Sequence, residues 1–233
     1  MPRSRRTIAI GDVHGCDVAL ERLLDAIGPA AGDTLIFLGD LCDRGPDTKR
    51  VIELILAARA KCDVRVILGN HDEMMLGVFG RHAECDLEFW WGVGGAETIE
   101  SYGGDPDQVP AGHLDFLETA LPYLETDSTI FIHADLKPGV PLELQDADWL
   151  RWKKITGDEP PHPSGKRIVC GHSSQKTGVP LVWDGWVCID TKVFDEDGWL
   201  TALDVAADEV VQANQFGEVR GPVSLNVFTS GDV

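Results

Sequence analysis

The first seventy residues alternate between short apolar runs and stretches with the spacing of an amphipathic helix. Apolar runs at 8–10, 34–38 and 64–68 have the length and composition of buried strands. Between them, apolar side chains recur every three or four residues, as on one face of a helix. They are Leu20, Leu23, Leu24 and Ile27, then Val51, Leu54, Ile55 and Ala58. Strands that alternate with helices of this length predict right-handed crossovers and a parallel sheet.

The rest of the chain has a different pattern. Residues 70–122 are mainly helical and interrupted by glycine turns, which predicts a helical insertion over the edge of the sheet. Apolar runs at 129–132 and 167–170 predict two more strands. Short β-rich segments follow at 179–182, 186–189, 199–205 and 209–213 and favour a second sheet of antiparallel neighbours. We expect residues 1–233 to form one mixed α/β domain, with a loosely ordered tail at 217–233.

Composition and charge disfavour nucleic-acid-binding and membrane-binding functions. Twenty Lys and Arg against 39 Asp and Glu give a net charge of −19, which repels nucleic-acid phosphates and anionic lipid. We interpret the tryptophans as core and lid packing and not as a base-stacking surface, so we predict no nucleic-acid partner. No run approaches the roughly 18 apolar residues of a membrane span, and no secretory signal follows the basic N-terminus. The six cysteines include no CxxC pair, so we expect a cytoplasmic protein with reduced thiols and no membrane partner.

Similar polar side chains follow each apolar run. The first predicted strand is followed by GDVHG (11–15), the second by GDLCDRG (39–45) and the third by GNHD (69–72). The two later runs lead to His133 and His172. Since the carboxyl ends of strands in an open α/β sheet form the ligand crevice, all five clusters are expected to meet at one place.

The chemistry of these side chains indicates a metal site. One histidine or aspartate alone would be read as a capping or core residue, but four histidines in five such clusters are not explained in that way. Imidazole and carboxylate ligands without a thiolate pair suit manganese, iron or zinc. One aspartate can bridge two ions about 3.5–4 Å apart, which clamp the attacking and leaving oxygens of a phosphoryl displacement. The pattern therefore predicts metal-assisted hydrolysis of a phosphate ester.

The motifs GDVHG, GDLCDRG and GNHD, with the single histidines of IHAD and CGHS, resemble those of the calcineurin-like metallophosphoesterases of the phosphoprotein phosphatase (PPP) family. The similarity runs from about residue 8 to residue 205, and the segments 90–103 and 133–152 resemble bacterial members in particular. The resemblance implies the calcineurin-like metallophosphoesterase fold, a two-sheet β-sandwich core flanked by helices. It places the site at the carboxyl ends of the strands.

The resemblance also implies a role for each site residue. Asp40 would bridge two divalent ions, with a hydroxide held between the ions as the nucleophile. His71 would be the general acid, oriented by Asp43, and Arg44 and Asn70 would hold the phosphate oxygens. The implied ligands of the first ion are Asp12, His14 and Asp40, and those of the second are Asp40, Asn70, His133 and His172. Manganese is the expected metal, with iron or zinc as alternatives.

Several positions depart from the family pattern. Leu68 stands where many of the protein phosphatases have an arginine that clamps phosphate. A second arginine of the family pattern is replaced by Lys153 or Lys154, whose ammonium group is a point charge and lacks the paired donors of a guanidinium. Arg151 is the alternative residue for this role. Glycines of the pattern are replaced at two positions, Asp135 and Lys192. These changes predict intact catalytic residues with modest affinity for phosphate.

The favoured function is a serine/threonine phosphoprotein phosphatase that acts on phosphate monoesters of proteins or small molecules. A symmetrical diadenosine tetraphosphate hydrolase is the alternative enzyme, because it shares the metal ligands and the Leu-Gly-Asn-His-Asp form at 68–72. Asp-Arg-Gly at 43–45 favours a protein phosphatase, because those hydrolases usually lack the aspartate. A catalytically silent phosphate-binding protein is the alternative outside enzymes. No oligomeric state is predicted.

Overall fold

The computed structural model describes residues 5–229, which form two β-sheets flanked by helices. The strands of the first sheet are β1 (Thr7–Ile10), β2 (Thr34–Phe37), β3 (Asp63–Val66), β9 (Leu200–Asp204), β10 (Glu209–Ala213) and β11 (Val219–Ser224). Their order is β11-β10-β9-β1-β2-β3. β1, β2 and β3 are parallel, as the alternation of apolar runs and helical spacing predicted.

The second sheet contains the strands from the middle of the chain. They are β4 (Leu124–Glu125), β5 (Thr129–Phe131), β6 (Arg167–Cys170), β7 (Leu181–Trp183) and β8 (Trp186–Cys188). Their order is β4-β5-β6-β8-β7. β5, β6 and β8 run parallel to one another, whereas the end strands β4 and β7 are antiparallel to their neighbours. The antiparallel neighbours predicted for the second sheet are found at its two ends, whereas its centre is parallel.

Two segments predicted for the second sheet extend the first sheet instead. β9 runs antiparallel to β1, with Ile8 opposite Asp204, and β10 pairs with β9. The free edge of β1 accounts for this difference, because an uncovered edge leaves backbone N–H and C=O groups unpaired. Covering it with later strands brings the C-terminal part of the chain beside the loop that follows β1.

The core lies in three layers. Between the sheets, apolar side chains such as Ile36 and Leu38 of the first sheet meet Phe131 and Val169 of the second. The outer face of the first sheet is covered by helices α1 (Asp17–Ile27) and α2 (Thr48–Ala58), and their apolar stripes are the ones predicted from spacing. Leu142 and Leu150 pack over the outer face of the second sheet. This arrangement confirms the predicted sandwich flanked by helices.

Short helices occupy most of the region between β3 and β4. They are α3 (Asn70–Val78), α4 (Leu87–Trp90), α5 (Ala96–Ser101) and α6 (Ala111–Glu118), with one π-turn over Trp91–Gly95. A further short helix, α7 (Ala147–Arg151), lies between β5 and β6. Trp90 is fully buried and brings this helical segment against the loop that follows β2.

The C-terminal segment contains regular secondary structure. Residues 219–224 form β11, which pairs with β10, and a 3-10 turn follows over Leu225–Phe228. Leu225 is buried in the layer between the sheets, which accounts for the order of this segment. Residues 230–233 of the expected loose tail, and Arg3 of the basic N-terminus, lie outside the described residues. No helix in residues 5–229 is long and apolar enough to cross a membrane.

Candidate metal centre and active site

The polar clusters after the strands meet at one edge of the two sheets. The loop after β1 supplies two of the predicted side chains, the loop after β2 supplies three, and the start of α3, directly after β3, supplies two. The turns that follow β5 and β6 supply one histidine each. In this order the residues are Asp12, His14, Asp40, Asp43, Arg44, Asn70, His71, His133 and His172.

The backbone that carries these side chains adopts unusual conformations. The φ angles of five site residues are positive, a region that side chains other than glycine seldom adopt. They are 45° at His14, 48° at Asp40, 73° at Asp43, 70° at Arg44 and 62° at His172. Such conformations persist only where the surrounding structure holds them, and they are common at functional sites. The turns direct the side chains of different loops toward one centre.

The rings of His133 and His172 each have one nitrogen fixed by a backbone carbonyl. Nδ1 of His133 lies 2.8 Å from the carbonyl oxygen of Leu38, and Nε2 of His172 lies 3.1 Å from that of Trp152. Because a carbonyl oxygen can only accept, these nitrogens carry the proton, and in a neutral ring the opposite nitrogen presents a lone pair. Both lone pairs face Oδ1 of Asn70, at 3.1 and 3.0 Å. Three acceptors that face one another suit a divalent cation between them.

Asp40 lies between two groups of histidines, with one carboxylate oxygen toward each. Oδ1 lies 3.4 Å from Nε2 of His133 and accepts the backbone N–H of His71, whereas Oδ2 lies 3.6 Å from Nε2 of His14. Burial opposes ionisation of Asp40, but the surrounding histidines together hold its pKa below its ordinary value. Candidate ligand atoms lie within 4.8 Å of one another in two groups that share Asp40, with His14 and His71 in one and His133 and His172 in the other. This geometry suits a carboxylate that bridges two ions.

Two more buried carboxylates lie beside this centre. Asp12 accepts the backbone N–H of His172 at 3.0 Å. Asp190 accepts the hydroxyl of Ser174 at 2.7 Å and a backbone N–H two residues further along. Burial, and then the charges of Asp190 and Asp40, raise the pKa of Asp12 well above its ordinary value. Because buried carboxylates are unfavourable unless cations accompany them, this cluster fits a metal centre.

Two of the buried acids were not predicted as site residues. Asp190 follows β8 as Asp12 follows β1, so the pattern of a polar residue after an apolar run contained the signal for it. Asp72 belongs to the GNHD motif and accepts one backbone N–H from each of the loops after β2 and β3, at 2.8 and 3.2 Å. Burial, and then the charge of Asp40, raise the pKa of Asp72 to about 7. Asp72 therefore ties together the two loops that carry most of the site.

His14 presents a neutral ring to the centre. Its Nδ1 lies 3.0 Å from the carbonyl oxygen of Cys42, which leaves Nε2 to accept a hydrogen bond of 2.7 Å from the guanidinium of Arg44. Burial, with the charges of His71 and Arg44 in addition, holds the pKa of His14 well below its ordinary value despite the opposing effect of the nearby carboxylate. The Arg44 guanidinium also lies 4.7 Å above the ring of Phe194.

His71 and Asp43 form a buried pair, with 2.7 Å between Nδ1 and Oδ2. The same carboxylate accepts the indole N–H of Trp90 at 2.9 Å and the hydroxyl of Thr98 at 2.8 Å. Burial favours the neutral imidazole, but the charge of Asp40 and the bond to Asp43 raise the pKa of His71 above its ordinary value. A ring in this environment holds a proton that its Nε2 can donate.

The positive groups predicted to hold phosphate are in different positions. Arg44 and Lys154 line a cavity of about 270 Å³ that also contains Asp40, Asn70 and His71. Arg151 is buried instead, and its guanidinium donates to the Glu73 carboxylate at 2.7 Å. Arg151 does not line this cavity. The cavity therefore contains one guanidinium group, of Arg44, and one ammonium group, of Lys154, that could bind phosphate oxygens.

The other three departures from the family pattern, at Leu68, Asp135 and Lys192, have structural roles. Leu68 packs in the core between the first sheet and its helices. Asp135 is buried and accepts the backbone N–H of Leu136, and burial raises its pKa to about 6. Lys192 has a φ of 58°, which is where glycine would be unstrained, and its ammonium group pairs with an aspartate three residues along.

Among curated proteins, the chain resembles bis(5'-nucleosyl)-tetraphosphatases of the symmetrical type. The relative from Janthinobacterium sp. (strain Marseille) is 30% identical over 172 residues, which cover 66% of this chain and 57% of the relative. The chain thus spans about half the length of the curated relatives that it matches.

Among solved structures, a putative diadenosine tetraphosphatase superposes with a TM-score of 0.68 at 21% identity, covering 91% of this chain and 94% of that one. A cold-active protein-tyrosine phosphatase of a psychrophile Shewanella sp. superposes with a TM-score of 0.62 at 16% identity, covering 96% and 83%. Both share the fold. The sequence model of the family described as calcineurin-like phosphoesterase matches residues 5–201, and the chain therefore belongs to this family of metallophosphoesterases.

Proposed function

We propose that the protein hydrolyses phosphate monoesters of hydroxyl groups, phosphoproteins foremost. The observation that carries this proposal is the buried pair of Asp43 and His71. A tyrosine hydroxyl has a pKa of about 10, and a serine or threonine hydroxyl is a still weaker acid, so each needs a proton to leave. A nucleoside diphosphate ends in a phosphate with a pKa of about 6 and can leave as an anion. A positioned acid is thus of most use to a monoesterase.

The residues suited to hold the two ions are those that the resemblance implies. Asp12, His14 and Asp40 would hold one ion, and Asp40, Asn70, His133 and His172 the other. When bound, two divalent ions would activate water and neutralise charge on the phosphate. Manganese is the proposed metal, with iron or zinc as alternatives.

The chain's own groups would then bind the phosphate and complete the reaction. Arg44 and Lys154 face the cavity and supply positive charge for the phosphate oxygens, with the Asn70 amide as a neutral partner. Nε2 of His71 donates its proton to the leaving oxygen, while Asp43 holds the ring and stabilises its charged form. The resemblance implies a serine/threonine preference, but the proposed monoester hydrolysis holds for serine, threonine and tyrosine phosphates alike, and the residues around the cavity bear on the choice below.

The second candidate is symmetrical hydrolysis of dinucleoside tetraphosphates. It is favoured by the name of the curated relatives, which share up to 30% identity over about two thirds of this chain. The presence of Asp43 weighs against it. A silent phosphate-binding protein is the third possibility.

Two substrates, each assayed with the wild type and with one variant, distinguish these candidates. Phosphate release from a phosphopeptide and ADP release from diadenosine tetraphosphate are measured with and without Mn²⁺, for the wild type and Asp43→Asn. A monoesterase needs Mn²⁺ and loses turnover of the phosphopeptide in Asp43→Asn. Preferential cleavage of the dinucleotide, with little effect of the substitution, would establish the second candidate. Binding of Mn²⁺ and phosphate without turnover would establish the third.

A further inference from the structure

The cavity at the metal centre adjoins a second cavity of about 360 Å³. Three side chains line both cavities: Met74, Phe89 and Trp152. We call these three residues the apolar shelf. None of their side chains has a role in the hydrolysis described above, yet all three line the cavity at the metal centre as well as the cavity beside it.

The position of the general acid tells which part of a substrate lies on the shelf. His71 and Met74 are both in α3 and are three residues apart, so their side chains lie on the same face of the helix. The oxygen that His71 protonates belongs to the leaving group. His71 and the apolar shelf line the same cavity, so a leaving group that His71 protonates lies beside the shelf.

The shelf has two aromatic side chains that are unusually exposed. Phe89 is 53% exposed and Trp152 is 40% exposed. Trp152 is also fixed, because its indole N–H donates to Glu73 at 2.9 Å and its carbonyl oxygen lies 3.1 Å from Nε2 of His172. A fixed, exposed aromatic surface loses little entropy when a flat ring packs against it.

The charges around the second cavity limit what can lie there. Its lining includes the acidic residues Glu73, Glu84 and Asp86 and contains no lysine or arginine among the described residues. The Glu73 carboxylate is engaged by Arg151, whereas Glu84 is exposed. An anionic leaving group such as a nucleoside diphosphate would meet repulsion here. A neutral ring would not, and basic groups next to the ring would be attracted.

We propose that the apolar shelf binds the aromatic ring of the leaving group, so that the preferred substrates are aryl phosphates. This inference rests on the monoesterase function proposed above. In the reaction, water adds to phosphorus as the bond from phosphorus to the phenolic oxygen breaks. That oxygen takes the proton from His71, and the products are a phenol and inorganic phosphate. The ring belongs either to a phosphotyrosine with basic neighbours or to a small aryl phosphate.

The test compares aryl and alkyl esters in matched variants. Two peptides with the same basic flanks, one with phosphotyrosine and one with phosphoserine, are hydrolysed by the Mn²⁺-loaded wild type, Phe89→Ala and Trp91→Ala. Trp91 is the control, because it is 45% exposed, lies two residues away and lines neither cavity. Phe89→Ala is expected to raise KM for the phosphotyrosine peptide by roughly 3- to 10-fold, with kcat little changed. KM for the phosphoserine peptide should stay constant, as should both constants in Trp91→Ala.

Binding to the wild type provides a second measurement that needs neither turnover nor a variant. Calorimetry with the Mn²⁺-loaded protein should show benzylphosphonate binding roughly 3- to 10-fold more tightly than ethylphosphonate. Equal affinities, or equal loss on both peptides in Phe89→Ala, would overturn the shelf while leaving the monoesterase intact. If the protein binds benzylphosphonate more tightly but hydrolyses no monoester, the proposed function is wrong, whereas the proposal that the shelf binds an aromatic ring still holds. Phenyl phosphate, assayed beside the phosphotyrosine peptide, distinguishes a small substrate from a protein one.

Discussion

The indole nitrogen of Trp90 lies 2.9 Å from Oδ2 of Asp43, the oxygen that also binds His71. Trp90 is fully buried and belongs to the helical segment that follows α3, whereas Asp43 is in the loop after β2. Thr98 of the same segment donates to the other oxygen of the carboxylate. The helical segment therefore fixes the orientation of the carboxylate that holds the proposed acid.

Replacement of Trp90 by phenylalanine should lower kcat on a phosphopeptide by roughly 10-fold without loss of metal, because one donor that orients Asp43 is removed. Trp186→Phe is the matched control. Trp186 is also buried, and its indole N–H donates to the carbonyl of Pro160, away from the site. Turnover and thermal unfolding are measured for both variants. An equal decrease of kcat in the two would contradict the orienting role of Trp90.

The pH dependence of monoester hydrolysis should reflect the protonation of His71. Its pKa is raised, and the protonated form is the active one, so the rate holds as pH rises through the ordinary value of about 6.5 and falls only above the raised pKa. Asp43→Asn removes the negative charge beside the His71 ring and so lowers the pKa of His71. The decrease of the rate at alkaline pH should therefore begin at lower pH in this variant. The measurement is kcat/KM against pH for both proteins, and coincident profiles would exclude His71 as the acid.

His71→Ala should retain metal and lose turnover by roughly 10²- to 10⁴-fold.

Asp40→Asn should weaken the binding of both ions at once, because each oxygen of this carboxylate faces a different imidazole. Asp12→Asn provides the comparison, since Asp12 is proposed to hold one ion only. Metal content per chain after dialysis is the measurement. Two ions at full occupancy in Asp40→Asn would show that another residue bridges them.

Asp190→Asn should lower the affinity for the metal by about 10- to 100-fold, because the charge of Asp190 acts on Asp12 within a buried cluster. Asp195→Asn is the control: Asp195 is an exposed carboxylate of the same loop and pairs with Lys192. Metal titration of both variants decides the matter. Equal affinities would mean that Asp190 serves only the loop that contains Ser174.

Much of the site could be read from the sequence because of a simple property of parallel strands. Residues that follow β1, β2 and β3 must appear at the same edge of the sheet, so Asp12, Asp40 and Asn70 were expected together, and the structure brings them together. Their positions depend on the order of strands and on local turns. Both are encoded within a few residues of each side chain.

The features of the site that the sequence does not predict depend on contacts between distant segments. Nothing near Trp90 indicates that its indole meets Asp43, 47 residues earlier, because that contact depends on how the short helices pack. Arg151 was a candidate phosphate ligand by position, but its pairing with Glu73 is a tertiary contact. The placement of β9 was decided by the free edge of β1, which a pattern of short β-rich segments does not reveal.

The bond between the backbone of His172 and the carboxylate of Asp12 spans 160 residues of sequence. During synthesis the loop after β1 emerges from the ribosome long before its partner, so a nascent chain has no complete set of the proposed ligands until β6 and the turn after it have been made. Capture of the ions is thereby delayed until the two sheets have come together. A hydrolase built in this way gains its activity only as a finished molecule, and fragments released early would not cleave phosphate esters in the cell.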